Sequence, residues 1–367
     1  MYVLLIPLLC YAFLILRLIS VLFLNRSAAA TSIPRYPVSI VIPFRNEQKH
    51  LQVLLKSLQQ QSYDGQFEVL LINDGSTDQS LRIIQEIKKS SRIEITVVDS
   101  QFDPSIGLTS KQQALDFGIN HAKYDWIALT DADMKLLPDW LSSLMACSGQ
   151  ETDMVFGHTS ITTDKSIFSK IQAFQLDFLF SVAYAFFKAG ISGSCMGNNI
   201  LISKQAYQKS GGQKAIGYNM AEDRALLELF RQKKMSISCT NPFAPLALTF
   251  PCEEWNQFFH QIRRWAKGGF VWHSSPFFIG LLFSLQNVLL LLACFSVLPP
   301  VITSVALVNF LFTWLFTAVS FKRTSSSQKF FYFPLFLLFL LFETILFSFS
   351  ILFGSEIKWK GRNLNKK

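Results

Sequence analysis

Long apolar runs at both ends of the chain constrain its fold more than any other feature. Met1 to Leu24 is broken only by Arg17, and three more runs come late in the chain: Pro276 to Leu298, Val301 to Phe321 and Phe330 to Phe353. About 20 helical residues cross the hydrocarbon core of a bilayer, so each run is long enough to do so. Half of the 367 residues are hydrophobic and 36 are Phe, which is too apolar for an ordinary soluble protein. The polar chemistry is therefore confined to the stretch between the runs. The net charge of +9 lies largely beside them, at Arg26, Arg35, Arg263, Arg264, Lys267, Lys322, Arg323 and the basic tail. This is the pattern of membrane-flanking charge and argues against a nucleic-acid partner. The cysteines at 10, 147, 195, 239, 252 and 294 show no paired spacing, so neither a disulfide framework nor a zinc site is indicated.

Ala28, Ala29 and Ala30 imitate a signal-peptidase site, but no basic segment precedes the first run and it exceeds a signal core in length. Residues 1–24 read as a transmembrane anchor. Because Arg26 and Arg35 come after that anchor and no charge precedes it, the positive-inside tendency places the next segment in the cytosol. The expected organisation is a cytosolic catalytic domain over residues 36–250, an interfacial helix over 251–273, a membrane domain over 276–353 and a basic cytosolic tail over 354–367. Such a chain is an integral, multi-pass protein of a bacterial plasma membrane, with the lipid bilayer as a partner.

Between the apolar ends, short β-branched runs alternate with helical patterns. Val38 to Ile42, Glu68 to Ile72, Ile93 to Val98 and Trp126 to Thr130 read as strands, and Leu51, Leu54, Leu55 and Leu58 recur at helical spacing. That alternation predicts an α/β fold with a doubly wound, mostly parallel sheet, joined to α-helical transmembrane segments. Asn46 and Asp78 are the expected helix caps. Ile167 to Phe187 is apolar apart from Lys170, Gln172, Gln175 and Asp177, and reads as an interfacial or acceptor-lining helix and not a span.

Ligands of such sheets gather at the carboxyl ends of the strands, where three polar clusters fall. Asp131-Ala132-Asp133 supplies two carboxylates that can hold a hard divalent cation, magnesium or manganese. A D-x-D triplet alone is more often a solvated turn; its place at a strand end argues for the metal. Asn73 to Asp78 holds a Gly turn and a cap, which leaves Asp74 without a structural job. Ile42-Pro43-Phe44-Arg45-Asn46-Glu47 lacks the G-x-G-x-x-G of a dinucleotide site, which disfavours nicotinamide or flavin chemistry.

With IPFRNE, NDGSTD and TDAD in this order, the chain resembles the family-2 glycosyltransferases of the nucleotide-sugar-binding A-type fold. It is most similar to their membrane-bound branch, with cellulose, chitin and hyaluronan synthases and ceramide glucosyltransferase. The resemblance implies a nucleotide-sugar donor whose nucleoside is held by Pro43, Glu47 and Asp74, with Asp131 near the nucleotide and Asp131 and Asp133 at the metal. It assigns Lys111 of SKQQALDFGI to the diphosphate, and Gly197, Asn198, Asn199 and Glu222 to the sugar and acceptor. It makes Asp223 the catalytic base. Gln261-Ile262-Arg263-Arg264-Trp265 matches the family's Q-x-x-R-W, which puts Gln261, Arg264 and Trp265 on the sugar-diphosphate. On a helix these three share one side, whereas Trp255, Phe258, Phe259 and Arg263 form an apolar stripe and its edge.

The implied reaction is inverting transfer of a sugar, from UDP-sugar, to a membrane lipid or glycan acceptor. A processive polysaccharide synthase is the alternative within the enzyme class, and a non-catalytic nucleotide-sensing membrane protein is the alternative outside it. The final run carries Pro334 and Glu343. An ionisable group at mid-bilayer is costly, so this run is expected to be re-entrant or interfacial, with the tail cytosolic.

Overall fold

The computed structural model describes residues 2–24, 33–149, 151–191, 193–241, 244–269, 275–323, 331–352, 358–359 and 362–363. The expected tail therefore lies almost wholly outside the described residues. The chain opens with α1 (Leu5–Leu24), then runs through β1 (Val38–Phe44), α2 (Leu51–Gln59), β2 (Phe67–Asn73), α3 (Ser80–Ser90), β3 (Glu94–Asp99), α4 (Ser110–His121) and β4 (Trp126–Leu129). Next come β5 (Met134–Leu136), α5 (Trp140–Ala146), β6 (Met154–Phe156), β7 (Thr159–Ile161), α6 (Ile167–Lys188) and β8 (Ile200–Ser203). After these stand α7 (Lys204–Ser210), α8 (Gly212–Ile216), α9 (Glu222–Gln232), β9 (Ile237–Cys239) and β10 (Ala247–Thr249). The chain then continues through α10 (Trp255–Gly269), α11 (Ser275–Cys294), α12 (Pro300–Arg323) and α13 (Phe333–Leu352). A short hairpin, β11 (Lys358–Trp359) with β12 (Arg362–Asn363), ends the described chain.

The main sheet has the order β3-β2-β1-β4-β8-β6-β9. Its first four strands are parallel, as the β-branched runs predict, while β8 is antiparallel to both β4 and β6. A second sheet, β5-β10-β7, stands beside it. The sequence reading missed that sheet because its three-residue strands are too short to show a period of two.

One face of the main sheet packs α2: Leu51, Leu54, Leu55 and Leu58 are fully buried against Ile40, Ile42 and Leu71. Two expected local features need correction or adjustment. Asn46 is not a helix cap: α2 begins at Leu51, and Asn46 sits in the left-handed region at φ 54, where its Oδ1 accepts from the Thr77 N–H at 2.8 Å. Asn tolerates that backbone better than most side chains. Asp78 does serve the start of α3, two residues ahead of it, with Oδ1 accepting from the Ser80 N–H at 3.0 Å.

The other face of the sheet continues into the apolar helices, and α6 is the element between them. α6, expected to be an interfacial or acceptor-lining helix, is packed into the core: Phe174, Phe178 and Phe180 are buried, and three of its polar residues are bonded to distant partners. Gln172 pairs with the Cys252 backbone through both amide atoms, Gln175 donates to Glu343 Oε1, and Asp177 lies 3.1 Å from His158 Nε2. On the far side Phe174 stacks on Phe321 and Phe178 meets Phe316 edge-on. α1 lies against α12, with Tyr11 Oη 2.8 Å from Thr313 Oγ1 and Asn309 Nδ2 donating to the Leu8 carbonyl.

Among the described residues, Leu5–Phe23 and Pro300–Lys322 are long and apolar enough to cross a membrane, whereas Phe278–Cys294 and Phe333–Glu343 are shorter apolar segments. α13, the run expected to be re-entrant or interfacial, is one unbroken helix over 20 residues, and Gln175 of α6 donates to its Glu343.

Candidate active site

The site is built from the turn after β4, from the starts of α4 and α9, and from one face of α10. Beyond β4 the chain turns at Thr130, whose N–H donates to the Val41 carbonyl, and so delivers Asp131 and Asp133 past the carboxyl end of this central strand. α4 starts with a capping box: Thr109 Oγ1 accepts from the Gln112 N–H at 3.1 Å, and Gln112 Oε1 accepts from the Thr109 N–H at 3.0 Å. That satisfies two otherwise orphaned helix donors and fixes the first turn. Lys111, in that turn, places Nζ 2.8 Å from Asp131 Oδ1 and 2.9 Å from Glu222 Oε1. Gln112 Nε2 donates to Gln213 Oε1 and the Gly217 carbonyl, and its Oε1 accepts a second bond from the Asn219 N–H. The segment leading into Glu222 and Asp223 is thereby tied to the helix that carries the lysine.

Asp223 accepts from the Arg224 N–H at 2.7 Å and, through Oδ2, from the Gly197 N–H at 2.9 Å. A Cβ on residue 197 would lie 2.8 Å from Asp223 Cβ, so the approach that makes this bond requires glycine. α10 closes the other side, where a Cβ on Gly268 would fall 2.8 Å from Ala221 Cβ and 2.9 Å from the Ala221 nitrogen.

A cavity of about 450 Å³ opens between these parts. Its lining includes Lys111, Asp131, Asp133, Glu222, Asp223, Gln261, Arg264 and Trp265, together with Gly197 and Asn198. The lining also includes an apolar wall of Leu176, Leu179, Val182, Ala183 and Phe186, all from α6. Burial, reinforced by the neighbouring Asp131, pushes Asp133 up to about 6, against the pull of Lys111 and Arg264. Burial and the charge of Glu222 push Asp223 up to about 6, opposed by Lys111 and by the two N–H groups it accepts from. Burial works against the charge on Lys111, but Asp131 and Glu222 outweigh it and raise its pKa.

Asp131 and Asp133 fit a hard cation. Among the described residues no cluster of three or more His, Cys, Asp or Glu forms a closed cage, so the pair would fill part of a six-coordinate shell and leave the rest to phosphate oxygens and water. A divalent charge would relieve the repulsion that Asp131 exerts on Asp133.

The structure thus brings Lys111, Asp131, Asp133, Gly197, Asn198, Glu222, Asp223, Gln261, Arg264 and Trp265 around one cavity. It sets Pro43, Glu47 and Asp74 apart, at the ends of β1 and β2 and outside the cavity lining. Asp74 is 2% exposed and its N–H donates to the Phe44 carbonyl, while the Glu47 N–H donates to Ser80 Oγ. Asn199 needs a correction. It is fully buried, accepting from Trp140 Nε1 at 2.9 Å and donating to the His158 carbonyl at 2.9 Å, so it braces the scaffold and does not face a ligand. Sequence reasoning missed the wall of α6 as a set of named residues, although Leu176, Leu179 and Ala183 recur at helical spacing. It also missed Thr249 and Phe250 of the cavity rim, which lie at the end of a strand too short to recognise.

Residues 1–366 match the profile of Glycosyl transferase family 21. An undecaprenyl-phosphate 4-deoxy-4-formamido-L-arabinose transferase of Edwardsiella ictaluri is 32% identical over 122 residues, covering 32% of this chain and 35% of that protein. A 4,4'-diaponeurosporenoate glycosyltransferase of Staphylococcus aureus is 36% identical over 100 residues, 27% of this chain and 24% of that protein. The chain therefore spans about a third or less of those relatives' length. Among solved structures, a mannosyltransferase of Pyrobaculum calidifontis in complex with GDP-Man and Mn2+ superimposes with a TM-score of 0.57 at 14% identity, over 95% of this chain and 94% of that one. That likeness establishes the shared fold.

Proposed function

The chain belongs to glycosyl transferase family 21, and on that premise we propose that it transfers a sugar from a nucleotide-diphosphate sugar to a membrane lipid, with inversion, using Asp223 as general base. The observation that carries this reading is the mixed lining of the cavity: carboxylates and cations share one space with Asp223 and a row of apolar α6 side chains. A polar donor and an acceptor with a hydrocarbon part need such a lining.

In this reading Pro43, Glu47 and Asp74 hold the nucleoside at the ends of β1 and β2. Lys111, Gln261 and Arg264 hold the diphosphate, Trp265 packs on the sugar, and Asn198 orients the reacting hydroxyl. Asp131 and Asp133 would hold a divalent cation, which supplies charge neutralisation to the departing diphosphate. The relatives named for undecaprenyl-phosphate and diaponeurosporenoate acceptors, and the fold relative solved with GDP-Man and Mn2+, support a lipid acceptor and a metal. Asp223, held by the Gly197 and Arg224 N–H groups, takes the proton from the acceptor hydroxyl. The acceptor oxygen bonds to the anomeric carbon as the bond from that carbon to the diphosphate oxygen breaks, and the electron pair leaves with the diphosphate. The apolar wall of α6 seats the acceptor chain and excludes water that would otherwise hydrolyse the donor.

The test is incubation of the detergent-purified protein with a panel of nucleotide-sugars and membrane lipids, followed by mass spectrometry. Glycosylated lipid is the expected product. Release of free sugar alone, or a product only with a soluble glycan, overturns the lipid reading.

A further inference from the structure

Lys111 is a cavity cation whose position conflicts with the role proposed for it. Its ammonium lies between the carboxylate assigned to the metal and the acid beside the base, at 2.8 Å from Asp131 Oδ1 and 2.9 Å from Glu222 Oε1. Each of those bonds is charge-assisted and short, and the side chains are mostly buried, with 20% of Lys111, 28% of Asp131 and 11% of Glu222 exposed. A divalent cation approaching Asp131 meets a positive charge already seated on one of its oxygens. Lys111 cannot simply drift away, because the capping box fixes its backbone and Glu222 grips its head from the other side.

We infer that Lys111 is a specificity-determining residue that makes this site take its divalent cation together with a nucleoside diphosphate and discriminate against the bare ion. The inference rests on the reading of Asp131 and Asp133 as the metal carboxylates. A bare ion has to displace or endure the ammonium and offers it nothing in exchange. A cation carrying a diphosphate brings anionic oxygens that can replace Asp131 as the ammonium's partner, so the lysine swings from carboxylate to phosphate and the carboxylate passes to the metal. The exchange conserves charge-assisted bonds, and only the complex makes it possible. Glu222, which keeps hold of the lysine in the free site, would give it up or share it at the same step. Donor arrival is thereby felt directly beside Asp223.

The experiment measures Mn2+ binding by electron paramagnetic resonance on the full chain in detergent, with and without UDP, so that no turnover is needed. Lys111→Met should bind bare Mn2+ at least about tenfold more tightly than the parent, and Mn2+ with UDP about tenfold or more less tightly, the size expected for gain or loss of one charge-assisted contact. Lys111→Arg keeps the charge in place and should leave bare-ion binding weak. Arg264→Gln separates contact from field: it removes one positive charge from the same cavity without touching Asp131, and should strengthen bare-ion binding far less than Lys111→Met. Lys111→Gln serves if the methionine variant does not fold. Equal gains from Arg264→Gln and Lys111→Met, or no gain in either neutral Lys111 variant while the parent still binds Mn2+ with UDP, overturn the inference. If the parent shows no joint binding of Mn2+ and UDP, the proposed function itself fails instead.

Discussion

The carboxylates of this protein fall into two populations that differ by what surrounds them. In the cavity, Asp133 and Asp223 are pushed up to about 6 by burial and by a second acid beside each. In the surface turns the reverse holds. Burial tends to raise Asp78, but bonds from Ser80 and Gln48 outweigh it and hold it below the usual carboxylate range, and Asp164 is held down by Ser169 and Ser166. The turn carboxylates are satisfied by their neighbours and stabilise the fold. The cavity pair is placed at the fold's expense, and raised carboxylates of this kind gather at functional sites.

The sharpest way to break this comparison is Asp133→Ala. It should abolish transfer, and excess EDTA should do the same to the parent; activity surviving chelation refutes the metal assignment. Next in size, Asp223→Asn should lower turnover by about 10²-fold or more while leaving donor affinity nearly unchanged, as loss of a general base does. Calorimetry showing donor affinity collapsing would make Asp223 a binding residue. In the parent, turnover should fall about tenfold per unit as pH drops below about 6, because Asp223 must be ionised to take the proton and its raised carboxyl protonates through that range. A profile flat to pH 5 would contradict the base assignment.

Smaller effects appear in stability, with opposite signs for the two populations. A carboxylate raised in the folded state favours folding when protonated, so its ionised form costs stability above its unfolded pKa of about 4. Asp223→Asn should therefore raise the melting temperature of the ligand-free protein by about 2–4 °C at pH 7.5, a gain that shrinks as pH falls through about 6 and vanishes below about pH 4. A lowered carboxylate contributes stability above about pH 4 and loses it as pH falls through its folded value. Asp78→Ala should accordingly cost about 1 kcal/mol at neutral pH, less below pH 4, and leave turnover of the folded enzyme unchanged. A drop in turnover for Asp78→Ala would move that residue into the donor site.

How much the sequence disclosed depends on the range of the interactions involved. The parallel half of the sheet was legible because Val38 to Phe44 and Phe67 to Asn73 are long and apolar enough to carry a signal on their own. The two acids of TDAD and the Glu222-Asp223 pair were legible through their resemblance to a known order of motifs. Other features depend on residues far apart in the chain. Asn46 looks like a cap until Thr77 is seen to occupy its oxygen. Asn199 looks like a ligand residue until Trp140 and His158 take both ends of its amide. The polar residues of α6 interrupt its apolar pattern for no local reason, and Cys252, Glu343 and His158 each claim one. No local pattern distinguishes a polar side chain that awaits a ligand from one that a distant residue has already satisfied.

The placement of α6 bears on how this enzyme can be handled. One continuous apolar core joins Val41 and Leu129 of the sheet to Phe174 of α6, then to Phe316 and Phe336 of the late helices and Leu18 of the first. A fragment trimmed to residues 36–250 for convenience would keep α6 and strip the side of it that Phe321, Phe316 and Phe336 cover. The exposed aromatic face would then seek another partner, and the wall of the cavity would be free to turn. Removing the greasy ends to gain a soluble catalytic domain would therefore discard half of the helix's seat, so detergent or nanodisc preparations of the full chain are the ones in which the acceptor side keeps its shape.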